Sequence, residues 1–178
     1  MITVSHTEGT PNPNALKYVC DTTLVKQGAL SFDNAVEGAD SDLAKGIFAV
    51  GGINSVYIQE NFVAVNAKPQ ANWEQVRQAV EEGLKNFTPI ESAQPKEADE
   101  STGDALLDKI NSTVERFVRP ALASDGGGIE VEGLEGTTVL VRYQGACGGC
   151  GMSTSGTLMA IENLLQREVD ENLTVQAV

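Results

Sequence analysis

The chain has 178 residues, of which 41% are hydrophobic, and it carries a net charge of −13 from 25 acidic and 12 basic side chains. This length suits one or two small domains. The negative charge argues against nucleic acid as a partner, because phosphate binding requires a basic surface. A membrane is not expected as a partner either, since no run approaches the roughly 18 to 20 apolar residues that span a bilayer.

The first residues alternate between apolar and polar side chains, as in a strand, and lack a basic leader followed by an apolar run. The sequence therefore predicts a cytoplasmic protein, with a mature organellar form, already freed of its presequence, as the alternative. Three cysteines in a chain without an export signal do not indicate a disulfide framework.

The sequence of residues 1–87 predicts a small domain of strands and helices, which begins with strands and ends with a helix. The turn-rich run 10–14 separates the first two strands, and Gly51 and Gly52 end a short helix. Asn72 can cap the last helix, whose apolar residues recur at helical spacing. The expected strands are 2–6, 16–19, 53–58 and 62–65, and the expected helices begin at Asp42 and after Asn72.

Residues 88–103 are rich in Pro, Ser and acidic side chains and contain one large apolar residue, Ile90. Such a segment buries too little apolar surface to order itself, so it is predicted to be a flexible acidic linker. It divides the chain into an N-terminal domain, 1–87, and a C-terminal domain, 104–178.

For the C-terminal domain the sequence predicts two helices and a small β-sheet. Its first helix is expected to end at Arg119, because Pro120 disfavours helical geometry in the residue before it. Strands are expected at 129–131, 139–143 and 173–177, and the last helix at about 155–169. The apolar face of the first helix is expected to contain Leu106, Ile110, Val114 and Phe117. Helices against a small sheet in each half predict an α+β protein of two small α/β-sandwich domains.

Two cysteines, Cys147 and Cys150, lie in a glycine-rich loop between a predicted strand and a predicted helix. Two thiols separated by two residues can both bind one metal centre. Glycines let the backbone fold around such a centre, and the positive end of the following helix favours the thiolate form. The loop is therefore predicted to bind a metal or a cluster.

The number of ligands in one chain falls short of a complete site. An iron–sulfur cluster usually takes four protein thiolates, and the loop supplies two. Cys20 lies in a predicted strand of the other domain and is interpreted as a small buried apolar residue. His6, the only histidine, has no ligand partner in the sequence. A two-fold dimer, in which each copy presents Cys147 and Cys150, is the simplest way to complete the site.

Three alternatives remain open on the residues alone. The same four thiolates could hold a structural zinc ion between two chains. A Cys-x-x-Cys pair at a helix start also suits a thiol–disulfide oxidoreductase. The third alternative is a glycine-rich turn whose thiols have no function. An enzyme is not expected, because one histidine and no evident catalytic pair offer little acid–base chemistry.

Several long motifs resemble the NifU-like (Nfu) family and together cover both predicted domains. The C-terminal motifs that resemble the NifU-like domain are 118–122, Asp125-Gly126-Gly127, Ile129-Glu130 and 145–150. The N-terminal ones that resemble the Nfu N-terminal domain are 10–17, Leu43-Ala44, Ile47-Phe48 and Trp73.

This resemblance implies an iron–sulfur cluster assembly and delivery protein. In the family, the two loop cysteines of each chain bridge a 4Fe–4S cluster across a homodimer, one cluster per dimer, and the cluster passes to apo-proteins. By this resemblance Cys147 and Cys150 are the expected ligands, and no role falls to Cys20. An upstream assembly scaffold is the expected donor, and a 2Fe–2S form is a candidate intermediate.

The sequence departs from the family pattern at two positions near the loop. Gly128 stands where the family usually has Asp, and Gly151 stands where it usually has Pro. A glycine in place of proline gives the chain more conformational freedom, so a shorter cluster lifetime is expected. Neither change alters the thiols.

Overall fold

The computed structural model describes residues 1–93, 105–149 and 154–178. The chain divides into two units, Met1–Pro95 and Lys96–Val178. Each unit combines helices with a β-sheet of its own. The predicted α+β class with two domains is therefore confirmed.

The N-terminal unit contains an antiparallel sheet of five strands in the order β1-β2-β5-β4-β3. The strands are β1 (Val4–Gly9), β2 (Ala15–Cys20), β3 (Val25–Phe32), β4 (Ile53–Glu60) and β5 (Phe62–Ala67). The helices are a 3-10 helix (Glu37–Asp40), α1 (Asp42–Ala49) and α2 (Trp73–Asn86). Their apolar faces enclose one core that includes Leu43, Ile47, Val80 and Leu84.

Local signals explain both longer helices of this unit. The Ser41 side chain accepts a hydrogen bond from the Ala44 N–H at the start of α1. The Asn72 side chain accepts hydrogen bonds from the Glu74 and Gln75 N–H groups, at 3.1 and 3.3 Å, at the start of α2. The capping role predicted for Asn72 is therefore confirmed.

Strand β3 has no counterpart among the predicted strands. Gly28 lies in its middle with a φ of +80°, and the pairing with β4 shifts register between Val25 and Ala29. A glycine at a bulge breaks the alternation by which a strand is predicted from sequence.

The segment 88–93 belongs to the N-terminal unit, although the sequence analysis assigned it to the linker. The Ile90 N–H donates to the Leu24 carbonyl, and the Lys26 N–H donates to the Ile90 carbonyl, at 2.8 and 3.0 Å. The Ala93 N–H donates to the Gln27 carbonyl at 2.9 Å, and Ala93 is buried. These backbone bonds to the edge strand β3 order the segment without a large apolar surface. The rest of the predicted linker, 94–103, lies outside the described residues.

The C-terminal unit packs helices on a three-stranded sheet in the order β6-β7-β8. The pair β6–β7 is antiparallel, and β7–β8 is parallel. The strands are β6 (Gly127–Glu135), β7 (Thr138–Gly145) and β8 (Thr174–Ala177). The helices are α3 (Ala105–Thr113), α4 (Arg119–Ser124) and α5 (Thr154–Glu168), with a π turn at Val114–Val118 and a 3-10 helix at Ala146–Gly149. Ile110, Val114, Ile129, Val139, Val141 and Leu165 lie in its core.

The first helix of this unit continues past Pro120, so the predicted end at Arg119 is wrong. The π turn separates α3 from α4, and the Arg119 N–H donates to the Val114 carbonyl, five residues earlier. Proline breaks an α-helix because it lacks an N–H and its ring meets the carbonyl four residues back. A wider turn just before Pro120 changes that hydrogen-bond pattern and lets the helical path continue to Ser124.

The same π turn changes which side chain faces the core. Phe117, predicted on the apolar face, is 47% exposed, and the Arg116 guanidinium lies 5.1 Å from the centre of its ring. Val118 is 7% exposed and packs in the core instead. None of the helices in the described part of the chain is long and apolar enough to cross a membrane.

Candidate functional site

Cys147 lies in the 3-10 helix that directly follows β7. Gly145 ends the strand with a φ of +63°, and Gly126 precedes β6 with a φ of +77°. Both values lie in the left-handed region, where glycine is strongly favoured. Gly127 pairs with Gly145 across the hairpin, and the Ala146 N–H donates to the Gly126 carbonyl at 3.1 Å. Two tight glycine turns therefore bring the start of β6 to the cysteine loop.

The sulfur of Cys147 lies against the backbone of β6. A Cβ atom built on Gly127 would be 2.5 Å from Cys147 Sγ and 3.0 Å from Cys147 Cβ. On the other side of the turn, a Cβ built on Gly148 would be 3.3 Å from the carbonyl oxygen of Tyr143. Small residues thus allow the close approach of the turn to both strands of the hairpin.

Cys147 is half-buried and packs on the core of the C-terminal unit, as Tyr143 does. Burial, and then the charge of Cys147, raise the pKa of the Tyr143 hydroxyl to about 12. That hydroxyl is buried and makes no hydrogen bond within the described part of the structure. The Cys147 side chain therefore has an apolar surface behind it and an aromatic neighbour.

Cys150 lies outside the described residues, as does Gly151. Helix α5 begins at Thr154, close to the predicted start, and packs on the sheet through Ile161 and Leu165. The strand before the loop and the helix after it are therefore confirmed. The joint placement of the two thiols, and their role as ligands, stay predictions.

Cys20 has the environment predicted for a buried apolar residue. It ends β2, is 3% exposed and belongs to the core of the N-terminal unit. Its Sγ lies 4.0 Å from the Tyr18 carbonyl oxygen, and burial raises the pKa of its thiol to about 11. A thiol that holds its proton this strongly is a poor metal ligand.

His6 lies on the edge strand β1 and is exposed. Its Nε2 is 3.0 Å from Glu8 Oε1, and this contact, followed by that of Lys17, lowers the pKa of the Glu8 carboxyl. Across residues 1–93, 105–149 and 154–178, no group of three or more His, Cys, Asp or Glu side chains could hold a metal ion. Among these described residues, Cys147 therefore belongs to no such group.

The sequence analysis assigned no role at this site to two of its residues. Gly127 was named only within the Asp125-Gly126-Gly127 motif. In the structure it belongs to strand β6, and a Cβ atom on it would lie 2.5 Å from the Cys147 sulfur. Tyr143 was read only as the end of a strand. Its position on the same face of β7 as Val139 and Val141 was the one signal that it points inward.

Two family models match the chain, one in each unit. "Scaffold protein Nfu/NifU N terminal" matches residues 4–90, and "NifU-like domain" matches residues 110–176. The chain belongs to the NifU-like (Nfu) family. The resemblance drawn from the motifs is therefore confirmed for both domains of this Nfu protein.

Curated relatives extend the similarity along most of the chain. NifU-like protein 5, mitochondrial, from Arabidopsis thaliana is 31% identical over 93% of this chain and 64% of its own length. NifU-like protein 4, mitochondrial, from the same plant is 30% identical, over 93% and 62%. The human NFU1 iron-sulfur cluster scaffold homolog, mitochondrial, is 26% identical, over 97% and 70%. This Nfu chain spans a little under two thirds of the length of both Arabidopsis relatives.

The cytoplasmic location predicted from the sequence is wrong, because these relatives are mitochondrial proteins. Cellular address is read from targeting segments and not from the folded domains. The domain motifs on which the rest of the sequence analysis depends therefore held no information about location.

The similarity to solved structures covers about half of the chain. A NifU-like protein from Saccharomyces cerevisiae is 24% identical, covers 53% of this chain and 86% of its own, and has a TM-score of 0.44. The Staphylococcus aureus protein SAV1430 is 23% identical, covers 46% of this chain and 98% of its own, and has a TM-score of 0.39.

Proposed function

We propose that this Nfu chain is an iron–sulfur cluster carrier that binds its cargo through Cys147 and Cys150 and delivers it to apo-proteins. The human relative named as an iron–sulfur cluster scaffold supports this function. The observation that carries the proposal is the placement of Cys147, whose half-buried side chain lies in a turn of small residues at the end of β7. A cargo thiolate needs such a position, fixed by the fold and still reachable.

The surroundings of Cys147 suit a sulfur-rich cargo. The core of the unit supports the side chain from one side, and the exposed neighbour Gly148 has no side chain to obstruct the other. Helix α5 begins four positions after Cys150, and the positive end of a helix favours an anionic thiolate nearby. These features fit a thiolate ligand better than a reactive thiol buried in a cleft.

The number of thiols supports a shared site. A 4Fe–4S cluster usually takes four cysteine ligands, and one loop supplies Cys147 and Cys150. With Cys20 in the core of the other unit, we propose that two chains form a homodimer when loaded and bind one cluster between them. Opening of such a dimer would release the cluster, as delivery requires. A 2Fe–2S cluster is the proposed precursor, received from an upstream assembly scaffold.

We further propose that the chain acts as a binding protein and not as an enzyme. Its single histidine, His6, belongs to the N-terminal unit and interacts with Glu8, so the unit that contains the cysteine loop has no imidazole of its own to act as a general base. Cargo transfer by ligand exchange needs thiolates and no acid–base catalyst.

Anaerobic reconstitution of the full chain with iron and sulfide tests the proposal. We expect about two iron and two sulfide per chain, from one four-iron cluster shared by two chains. Native mass spectrometry should then detect a dimer that carries one cluster. Incubation with an apo-protein that needs a 4Fe–4S cluster should move the iron and sulfide to that acceptor and return the carrier to its apo form.

Three variants identify the ligands. Cys147→Ala and Cys150→Ala should each abolish cluster binding, whereas Cys20→Ala is the matched control and should retain the full complement. Full iron and sulfide in the Cys147→Ala/Cys150→Ala double variant would refute the proposal. Zinc as the sole metal of anaerobically purified protein would favour a zinc-bridged dimer, and rapid reduction of insulin disulfides would favour an oxidoreductase.

A further inference from the structure

We propose that Gly127 is a positioning residue for the cargo site, because its lack of a side chain provides the space in which the Cys147 sulfur lies. This inference rests on the proposed role of Cys147 as a cluster ligand. A Cβ atom on Gly127 would lie 2.5 Å from Cys147 Sγ and 3.0 Å from Cys147 Cβ. Favourable contacts of non-bonded heavy atoms begin near about 3.5 Å, so even a methyl group at this position overlaps the thiol.

The glycine is required for space and not for backbone conformation. Gly126 and Gly145 have positive φ values, at which any side chain is strained. Gly127 does not have a positive φ. It pairs regularly with Gly145 as part of strand β6. At a strand position a β-branched or aromatic residue is favoured and glycine weakens the strand. The glycine here is explained by the atoms that lie against it, the Cys147 sulfur first and the Gln144 carbonyl oxygen second.

Of the three atoms near an added Cβ, only the Cys147 sulfur can move by side-chain rotation, because Cys147 Cβ and the Gln144 carbonyl oxygen are fixed by the backbone. The third atom near the added Cβ is the Gln144 carbonyl oxygen, at 2.9 Å, which belongs to the paired strand β7. Gln144 also donates through Nε2 to Glu130 Oε2 across the hairpin at 2.8 Å. Rotation about the Cα–Cβ bond of Cys147 moves Sγ and relieves the closest overlap. The overlap with the Gln144 carbonyl oxygen does not depend on the sulfur, and only a shift of the hairpin backbone relieves it.

A displaced sulfur alters a shared cluster directly. In a two-fold site, the same displacement occurs at two of the four ligands, and metal sites require ligand distances within a few tenths of an ångström. Gly127 therefore determines where the Cys147 sulfur meets the cargo, although it bears no ligand atom itself.

The Gly127→Ala variant, made in the full chain, tests this role. Gly133→Ala is the matched control, because Gly133 lies on the same strand, has no positive φ and has no atom within 4 Å of an added Cβ. After anaerobic reconstitution, Gly127→Ala should change the visible circular dichroism of the cluster and shorten its lifetime against an iron chelator at least about fivefold. Gly133→Ala should leave both unchanged.

A double-mutant cycle tests the contact without any cluster. Thermal unfolding is followed by far-UV circular dichroism and by tryptophan fluorescence. The only tryptophan, Trp73, lies in the N-terminal unit. A transition seen by circular dichroism but not by fluorescence therefore reports unfolding of the C-terminal unit. Gly127→Ala should lower Tm by several degrees more in the chain with Cys147 than in a Cys147→Ala background, because removing the sulfur removes the closest overlap.

The outcomes separate the two proposals. Equal Tm shifts in both backgrounds, or an unchanged cluster spectrum and lifetime in Gly127→Ala, would overturn the role of Gly127. If the unaltered chain binds no cluster, the proposed function fails, and the double-mutant cycle alone then decides whether Gly127 positions the thiol. A Gly127→Ala chain that does not fold, beside a folded Gly127→Ala/Cys147→Ala chain, would support the contact.

Discussion

Cys20 should react with iodoacetamide about a hundredfold more slowly in the native chain than an ordinary thiol does. Burial raises the pKa of its thiol from 9.0 to about 11. Alkylation requires the thiolate. At pH 8 a pKa of 9.0 leaves roughly 10% of a thiol ionised, whereas a pKa near 11 leaves roughly 0.1%. The restricted access of a side chain that is 3% exposed slows the reaction further.

The assay follows alkylation at pH 8 over time by mass spectrometry of the peptide that contains Cys20. The same chain unfolded in guanidinium chloride gives the reference rate for this thiol. A native rate within tenfold of that reference would show that Cys20 is accessible and ionised, and would refute its interpretation as a core residue. In that case Cys20 would return as a candidate ligand, and the number of thiolates per chain would need revision.

Two further predictions concern the stability of the N-terminal unit, followed by Trp73 fluorescence. Gly83→Ala should lower its unfolding free energy by about 1–3 kcal/mol, because the added Cβ would lie 2.6 Å from Leu43 Cδ1 and 2.9 Å from Leu43 Cα. Gly46→Ala has no atom within 4 Å of the added Cβ and should raise the unfolding free energy by up to about 1 kcal/mol. Urea titrations measure both values. A Gly83→Ala chain more stable than the Gly46→Ala chain would contradict this packing. Burial also raises the pKa of the Tyr18 hydroxyl from 10.0 to about 12, so the fold holds this proton more tightly than the unfolded chain does. The contribution of this proton to the unfolding free energy is complete below pH 10 and is lost as the pH rises toward 12. The Tyr18→Phe variant should therefore lose less unfolding free energy over this pH range than the unaltered chain. An equal loss in both chains would contradict the raised pKa of Tyr18.

Elements with local signals were predicted well from sequence. Helix α2 has a capping residue, Asn72, and apolar residues at helical spacing, and both depend only on neighbours within a few positions. The hairpin β4–β5 has two apolar runs joined by a short turn. Such features need no knowledge of the rest of the fold.

The elements that differed from prediction have two different causes. The segment 88–93 is polar and looked like part of a linker, yet its backbone bonds to β3 over more than 60 positions of sequence. Pro120 indicated a helix end, but the π turn before it allows the helix to continue and exposes Phe117. In the first case distant backbone contacts order a segment whose composition suggests a linker. In the second, the hydrogen bond from the Arg119 N–H to the Val114 carbonyl changes the helical pattern on which the proline rule depends.

The sequence by itself determined that a pair of thiols lies between a strand and a helix, that one chain has too few such thiols for a complete cluster, and that the motifs are those of the NifU-like family. The tertiary structure decided that Cys20 is in a core and that Gly127 lies beneath the Cys147 sulfur. The physical reason is that strand register brings together residues 20 positions apart, and no local pattern of residue types encodes which atoms then meet.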